Sequence, residues 1–70
     1  MEADKTIRLN GDERAVAAGT TVLAMLEQFK LEPRLLVIER NGDILHRQDW
    51  QKTIVQSGDR FEIVTVVGGG

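Results

Sequence analysis

Hydrophobic and polar residues alternate near both ends of the chain. Ile7 and Leu9 alternate with polar residues over residues 5–10, and Phe61 and Ile63 do so at the start of residues 60–67. Because alternation with a period of two is typical of strands that bury one face, the pattern predicts a strand at each end. A weaker strand is predicted over residues 14–18. A run of branched apolar residues over 35–39 predicts a buried strand.

The period of the hydrophobic pattern changes after Gly19. Apolar residues then recur at three- and four-residue spacing: Val22, Met25, Leu26 and Phe29. This spacing predicts a helix over residues 21–30 that packs those side chains into the core. Thr20 or Thr21 is a suitable N-cap, and Pro33 is expected to prevent the helix from continuing.

Turn-forming residues separate the predicted strands. Asn10-Gly11 and Asn41-Gly42 are hairpin signals because both residue types tolerate positive φ. Ser57-Gly58-Asp59 predicts another tight turn, with its serine and aspartate explained as turn residues. Ile44 and Leu45 begin the strand that returns from the second hairpin, and residues 48–51 predict a short helical turn. Residues 53–55 are expected to add to the core.

The resulting order, β-β-α-β-β-turn-β, predicts an α+β fold. One main helix packs across one face of a mixed sheet of five strands or fewer, with the first and last strands side by side at its centre. This is the β-grasp, or ubiquitin-like, arrangement. Residues 1–67 are expected to form a single domain, and residues 68–70 a flexible C-terminal glycine tail.

Composition limits the classes of function. A chain of 70 residues has little room for an enclosed active site. Its net charge of −2, spread without runs of one sign, disfavours nucleic-acid binding. No apolar stretch approaches the ~20 residues of a membrane span, and the polar N-terminus does not resemble a secretory signal. These features predict a cytoplasmic protein with no membrane partner.

The residues needed for catalysis are scarce. The chain has no cysteine and one histidine, His46, so disulfides, thiolate metal sites and a zinc site are not expected. His46 is predicted to be an exposed surface residue, and Asp43 and Asp49 are predicted to be turn residues. Trp50 is expected to cover the open edge of the core. We therefore predict a protein that is not an enzyme and binds no metal.

The last strand and the glycines after it are the best candidates for function. Gly68-Gly69-Gly70 lacks Cβ atoms, so this backbone can enter a narrow cleft and present the carboxylate of Gly70. If Phe61 and Ile63 face the core, the opposite face carries three residues predicted as a partner docking patch: Glu62, Val64 and Val66. Strand propensity explains the two valines equally well.

Two segments together resemble the signatures of the ThiS family, the sulfur carriers of thiamine biosynthesis. Residues 39–50 resemble its central signature, and residues 57–64 followed by 66–70 resemble its C-terminal signature. Asn10-Gly11-Asp12 and Thr21-Val22 match its first hairpin and helix start, so the resemblance covers nearly the whole chain. His46 departs from the pattern, since the family often has proline there.

The resemblance implies a carrier function. In this family, the C-terminal carboxylate, here that of Gly70, is adenylated by a partner adenylyltransferase of the ubiquitin-activating type that uses ATP and magnesium. Sulfur from a sulfur-donating enzyme then displaces AMP, and thiazole synthase uses the resulting thiocarboxylate. Gly68 and Gly69 would thread the terminus into both partner active sites. The carrier itself would bind no cofactor and be monomeric when free.

Three alternatives remain open from the sequence. One is a sulfur carrier of another pathway, such as cysteine synthesis or a protein like the small subunit of molybdopterin synthase, although residues 7–10 lack the phenylalanine-rich first strand of the latter. Another is a ubiquitin-like protein modifier, whose terminal glycine forms an isopeptide bond. The third is a β-grasp binding module in which the glycines play no part.

Overall fold

The computed structural model describes residues 4–65, in which one α-helix lies across one face of a five-stranded mixed sheet. Two short 3-10 helices, Pro33–Leu35 and Arg47–Asp49, lie in the connections. The main elements are β1 (Lys5–Leu9), β2 (Asp12–Val16), α1 (Val22–Gln28), β3 (Leu36–Arg40), β4 (Asp43–Leu45) and β5 (Arg60–Thr65).

The strands lie in the order β2-β1-β5-β3-β4, and β1 and β5 are parallel neighbours at the centre. The other neighbouring pairs are antiparallel. Strand β5 pairs with β3 over five residue pairs but with β1 over only two. The predicted β-grasp arrangement is therefore confirmed, and β3 supplies most of the backbone pairing of the last strand.

Helix α1 begins one residue later and ends two residues earlier than predicted. The Thr21 hydroxyl caps the N-terminus by accepting a hydrogen bond from the Ala24 N–H at 3.1 Å. The helix ends at Gln28 because Lys30 adopts a left-handed conformation, with φ of 59°. The expectation that Pro33 stops the helix is wrong, since Pro33 instead begins a 3-10 helix after the chain has already turned.

The core lies between α1 and the facing side of the sheet. Its buried side chains are Ile7, Val16, Val22, Met25, Leu26, Leu36, Ile38, Trp50, Val55 and Phe61. Trp50 is 2% exposed, and its indole N–H donates to the Leu45 carbonyl at 2.9 Å. The predicted structural role of Trp50 is therefore confirmed.

Several predicted boundaries shift. Strand β2 occupies residues 12–16 rather than 14–18, because the two-residue turn at Asn10-Gly11 places Asp12 directly opposite Leu9. Strand β3 begins one residue later than predicted. The expected continuation of β5 to residue 67 lies outside the described residues.

Three apolar residues predicted to be buried are exposed, among them Leu35, which is 45% exposed and ends the 3-10 helix Pro33–Leu35 instead of beginning β3. Val37 is 40% exposed, because α1 covers only one face of the sheet and Val37 lies on the other. Ile54 is also 40% exposed, whereas its neighbour Val55 is fully buried. The prediction that residues 53–55 add to the core is therefore correct for Val55 and wrong for Ile54.

Among residues 4–65, no helix is long and apolar enough to cross a membrane.

Candidate functional site

The face of the sheet that α1 leaves uncovered carries two of the predicted docking residues. Phe61 and Ile63 of β5 point towards the core, so Glu62 and Val64 lie on the open face. Val64 is 62% exposed, the largest exposure among the large hydrophobic residues of the described chain. Val66, Gly68, Gly69 and Gly70, to which the other predicted roles were assigned, lie outside the described residues.

Two further apolar side chains lie on the same face beside Val64. Val37 of β3 is its direct cross-strand partner. Ile44 of β4 is 52% exposed and pairs with the next open-face position of β3. We call Val37, Ile44 and Val64 the open-face patch. Exposed apolar groups that cluster in this way are characteristic of interaction surfaces.

A pair of carboxylates adjoins the open-face patch. Glu39 of β3 and Glu62 of β5 are direct cross-strand partners, and Glu39 also pairs with Ile44. Both glutamates are exposed. Within residues 4–65, the ion pairs shorter than 4 Å involve other acidic residues: Glu32, Asp49 and Asp59. The open face thus combines an apolar cluster with two adjacent negative charges.

An open hollow of about 170 Å³ lies at the β4 edge of the patch. Val37, Ile44, His46 and Trp50 contribute to its lining. The guanidinium of Arg47 lies 5.7 Å from the centre of the Trp50 ring, so the rim of the hollow is cationic. His46 is exposed, as the sequence predicts.

Asn10 fixes β5 where its pairing with β1 stops. The Asn10 amide group donates to the Ile63 carbonyl at 3.2 Å, and its side-chain oxygen accepts from the Ile63 N–H at 2.7 Å. The Asn10 backbone N–H also donates to the Phe61 carbonyl at 2.8 Å. Asn10 has a φ of 51°, so the chain turns into the first hairpin there. Its side chain takes the place of the β1 backbone as the hydrogen-bond partner of Ile63.

Asp59 fixes the beginning of β5. Its carboxylate accepts hydrogen bonds from the Gln56 N–H at 2.9 Å, Arg40 Nε at 3.0 Å and Asn41 Nδ2 at 3.1 Å. Asn41 in turn accepts from the Arg60 N–H at 2.9 Å through its side-chain oxygen. This network ties the hairpin between β3 and β4 to the residue that begins β5.

The same contacts lower the pKa of Asp59. Burial alone would raise the pKa of this carboxyl group, since Asp59 is only 5% exposed. The hydrogen bonds from Gln56, Asn41 and Arg40, together with the charge of Arg40, outweigh the burial and hold the pKa below its usual value. Asp59 is therefore a charged structural residue, with its acceptor oxygens used within the fold.

The described part of the chain holds β5 at several points along its length. In residues 4–65, no group of three or more histidine, aspartate or glutamate residues is placed to hold a metal ion. Strand β5 is held by β3 along its length, by Asn10 in its middle and by Asp59 at its start. This arrangement can support the residues that follow Thr65 and present an adjoining surface to a partner.

Sequence reasoning missed five residues of this site: Val37, Glu39, Ile44, Asn10 and Asp59. Val37 and Ile44 could have been found, because one helix can cover only one face of a sheet and alternation then places every second residue of β3 and β4 on the open face. The roles of Asn10 and Asp59 depend on contacts with residues 53 and 18–19 positions away. Turn propensity explains both residues locally and gives no signal of those contacts.

The ThiS family model matches residues 7–70 of the chain. A sulfur carrier protein ThiS from Escherichia coli is 34% identical over 64 residues, which are 91% of this chain and 97% of that protein. A thiazole synthase from Paramagnetospirillum magneticum is 37% identical over 62 residues, which are 89% of this chain but 19% of the synthase. The chain therefore spans about a fifth of that relative's length.

A solved structure shares the fold described above. The crystal structure of thiamine biosynthesis protein ThiS from Geobacter metallireducens matches with a TM-score of 0.80 and 29% sequence identity. The match covers 93% of this chain and 99% of the Geobacter chain. The similarity thus includes both the sheet and the helix rather than a single shared motif.

Proposed function

The chain belongs to the ThiS family, and on that basis we propose that it carries sulfur on the carboxylate of Gly70 and delivers it to thiazole synthase for thiamine biosynthesis. The observation that carries the proposal is the similarity to the E. coli sulfur carrier, which extends over 97% of that protein. The thiazole synthase relatives, in which a segment resembles this chain, support thiazole synthase as the recipient. The protein would act as a carrier rather than as an enzyme.

The proposed chemistry has two steps. A carboxylate oxygen of Gly70 attacks the α-phosphorus of ATP in the active site of an adenylyltransferase, and pyrophosphate leaves with its magnesium ion. Hydrosulfide delivered by a donor enzyme then attacks the acyl carbon through its sulfur, AMP leaves with the bonding electron pair, and the S–H proton is lost to solvent. The product is a thiocarboxylate, whose sulfur can be transferred to thiazole synthase. ATP and magnesium belong to the partner enzyme.

Glycine suits the reacting position for steric reasons. A glycine acyl carbon has no side chain beside it, so the attacking sulfur meets little hindrance. Gly68 and Gly69 can follow a narrow channel for the same reason. Ordering each residue of such a segment costs about 1–2 kcal/mol of conformational entropy, which binding elsewhere must offset.

We propose that binding of a partner to the open-face patch compensates for the entropy cost of ordering the glycines. Burial of a fully exposed valine side chain contributes about 1.5–3 kcal/mol. The two valines and the isoleucine of the patch are 40–62% exposed, so each would contribute a part of that amount. Val64 lies on the strand that leads towards Gly68–Gly70. Docking at Val64 would therefore bring the glycines close to the partner's active site.

Replacing Val64 by aspartate is expected to weaken partner binding much more than stability. Val64 is exposed, so a charge there should leave the thermal midpoint nearly unchanged, whereas burial of that charge in an interface should raise the Kd for thiazole synthase at least about tenfold. Calorimetric titration and thermal unfolding measure the two effects. Ala15→Asp is the matched control, because Ala15 is an exposed apolar residue of β2 at the opposite edge of the sheet. Equal affinities of the Val64→Asp variant and the unmodified chain would remove the patch from the proposal.

The carrier function itself is tested by intact mass. The chain is incubated with the adenylyltransferase, ATP, magnesium and a sulfur-donating enzyme, and its C-terminal peptide is then analysed. Replacement of one oxygen by sulfur at Gly70 is the expected product. Stable conjugates to lysines of other proteins would instead favour a ubiquitin-like modifier.

A further inference from the structure

Docking at the open-face patch would also enclose two carboxylates. Glu39 and Glu62 are direct cross-strand partners, and they occupy the open-face row next to the Val37–Val64 pair. Ile44 adjoins the same row through its pairing with Glu39. A partner that covers all three apolar side chains therefore cannot avoid removing water from at least part of this glutamate pair.

Placing these two charges side by side does not stabilise the described part of the fold. Like charges directly opposite each other on neighbouring strands are destabilising. Two arginines lie further along the same face, Arg60 on β5 and its partner Arg8 on β1. In the described chain, neither arginine forms an ion pair with Glu39 or Glu62 within 4 Å. The glutamates thus keep their acceptor oxygens towards solvent.

Burying an uncompensated carboxylate is strongly unfavourable, and a cation supplied by the partner removes that penalty. A guanidinium group fits two neighbouring carboxylates better than an ammonium group, because its planar fork presents several N–H donors in fixed directions. An apolar surround strengthens such a contact by excluding water. The arrangement therefore specifies both the charge and the surroundings of the group that docks.

We infer that Glu39 and Glu62 together form a receptor for one arginine of thiazole synthase, and that this arginine is flanked by apolar side chains that cover Val37, Ile44 and Val64. The inference rests on the proposed function, which makes thiazole synthase the recipient. The glutamate pair would select the partner and orient it, whereas the apolar patch supplies contact area. Charge complementarity of this kind acts mainly on specificity and on the association rate.

The test is titration of the 70-residue chain against separately purified thiazole synthase at low and high salt. The double variant Glu39→Gln/Glu62→Gln should raise the Kd at least about tenfold at low salt and should lose most of the salt dependence of binding. Its thermal midpoint should equal or exceed that of the unmodified chain, because the repulsion between the two charges is gone. A merely structural role would lower the midpoint instead.

The matched control is Glu13→Gln/Glu27→Gln, which removes two exposed carboxylates away from the open-face patch. Its Kd should stay within about twofold of the unmodified value. Equal weakening in the two double variants would mean that overall charge matters and would overturn the inference, as would unchanged affinity of Glu39→Gln/Glu62→Gln or no binding by the unmodified chain. The proposed function has a separate test, which is whether Gly70 of the unmodified chain becomes thiocarboxylated. If it does, each of the three results above overturns only the arginine receptor. If it does not, the proposed function itself is refuted.

Discussion

Adding one alanine after Gly70 is expected to abolish thiocarboxylate formation and leave the fold unchanged. The extension moves the carboxylate by about 3.3–3.6 Å, the length of one extended residue, and places a methyl group next to the acyl carbon. A displacement of only 1 Å can cost a reaction a hundredfold, so we expect no detectable product. Intact mass after incubation with the adenylyltransferase, ATP and a sulfur donor measures the effect.

The control for this extension is one alanine added before Met1. It changes length and composition equally but leaves Gly70 in place, so thiocarboxylate should form at the normal rate. Thermal unfolding of both extended proteins should match that of the original chain. Normal product from the protein with alanine after Gly70 would contradict a terminal-carboxylate mechanism.

Replacing Asp59 by alanine is expected to cost about 2–4 kcal/mol of unfolding free energy near pH 7, from the lost hydrogen bonds and the broken ion pair. The variant loses the contacts of the carboxylate with Gln56, Arg40 and Asn41. The loss of unfolding free energy should be smaller than that for breaking a fully buried ion pair, because the Arg40 side chain is 28% exposed and water can hydrate its charge in the variant. Urea unfolding measures the loss.

The effect of Asp59→Ala should depend on pH in a defined direction. Because folding lowers the pKa of Asp59, its ionisation contributes stability above the unfolded-state pKa of about 3.9, and that contribution disappears as pH falls through the lower folded-state value. The difference between the variant and the original chain should therefore shrink in acid. A difference that is the same at pH 7 and in strong acid would contradict the charged role of Asp59.

Two substitutions separate the contributions of Asp59. Asp59→Asn preserves shape and one acceptor oxygen but removes the charge and turns the other oxygen into an NH2 group that faces a donor, so its cost should be comparable to that of alanine. Asp43→Ala removes an exposed aspartate from the neighbouring hairpin and should stay within about 0.5 kcal/mol of the original stability. A comparable loss in Asp43→Ala would show that the aspartates of these turns act through local propensity alone.

Local patterns were sufficient to predict the architecture. The three- and four-residue spacing identified the face of α1 that carries Val22, Met25 and Leu26, all buried as expected. The turns at Asn10-Gly11 and Asn41-Gly42 have the positive φ values that their residue types permit. These features depend on neighbours in sequence, and for that reason one sequence is enough to find them.

The contacts that hold β5 could not be predicted in the same way. Asp59 follows Ser57-Gly58 and looks like an ordinary turn residue, yet its carboxylate is buried against Arg40. The early end of α1 depends on a left-handed Lys30, which helix propensity does not favour. The exposure of Val37 differs from these contacts, because it follows from the alternation of β3 once a single helix covers one face of the sheet, although its place in a continuous apolar run favoured burial.

The candidate site was also predictable only in part, because some of its residues are recognisable locally and others depend on contacts between distant strands. The sequence and its family resemblance indicated Gly70 as the reacting residue and Glu62 and Val64 as docking residues. The register of β3 with β5 was needed to place Val37 beside Val64 and Glu39 beside Glu62. Pairing between distant strands created both the apolar patch and the charge pair, so neither could be identified from one strand alone.

The intact mass of the C-terminal peptide after incubation with the adenylyltransferase, ATP, magnesium and a sulfur-donating enzyme tests the carrier function most directly. We predict a product heavier by the replacement of one oxygen by sulfur, located at Gly70 and dependent on ATP. An unmodified Gly70 under conditions in which the same enzymes thiocarboxylate the E. coli ThiS protein would contradict the assignment of this chain as a sulfur carrier.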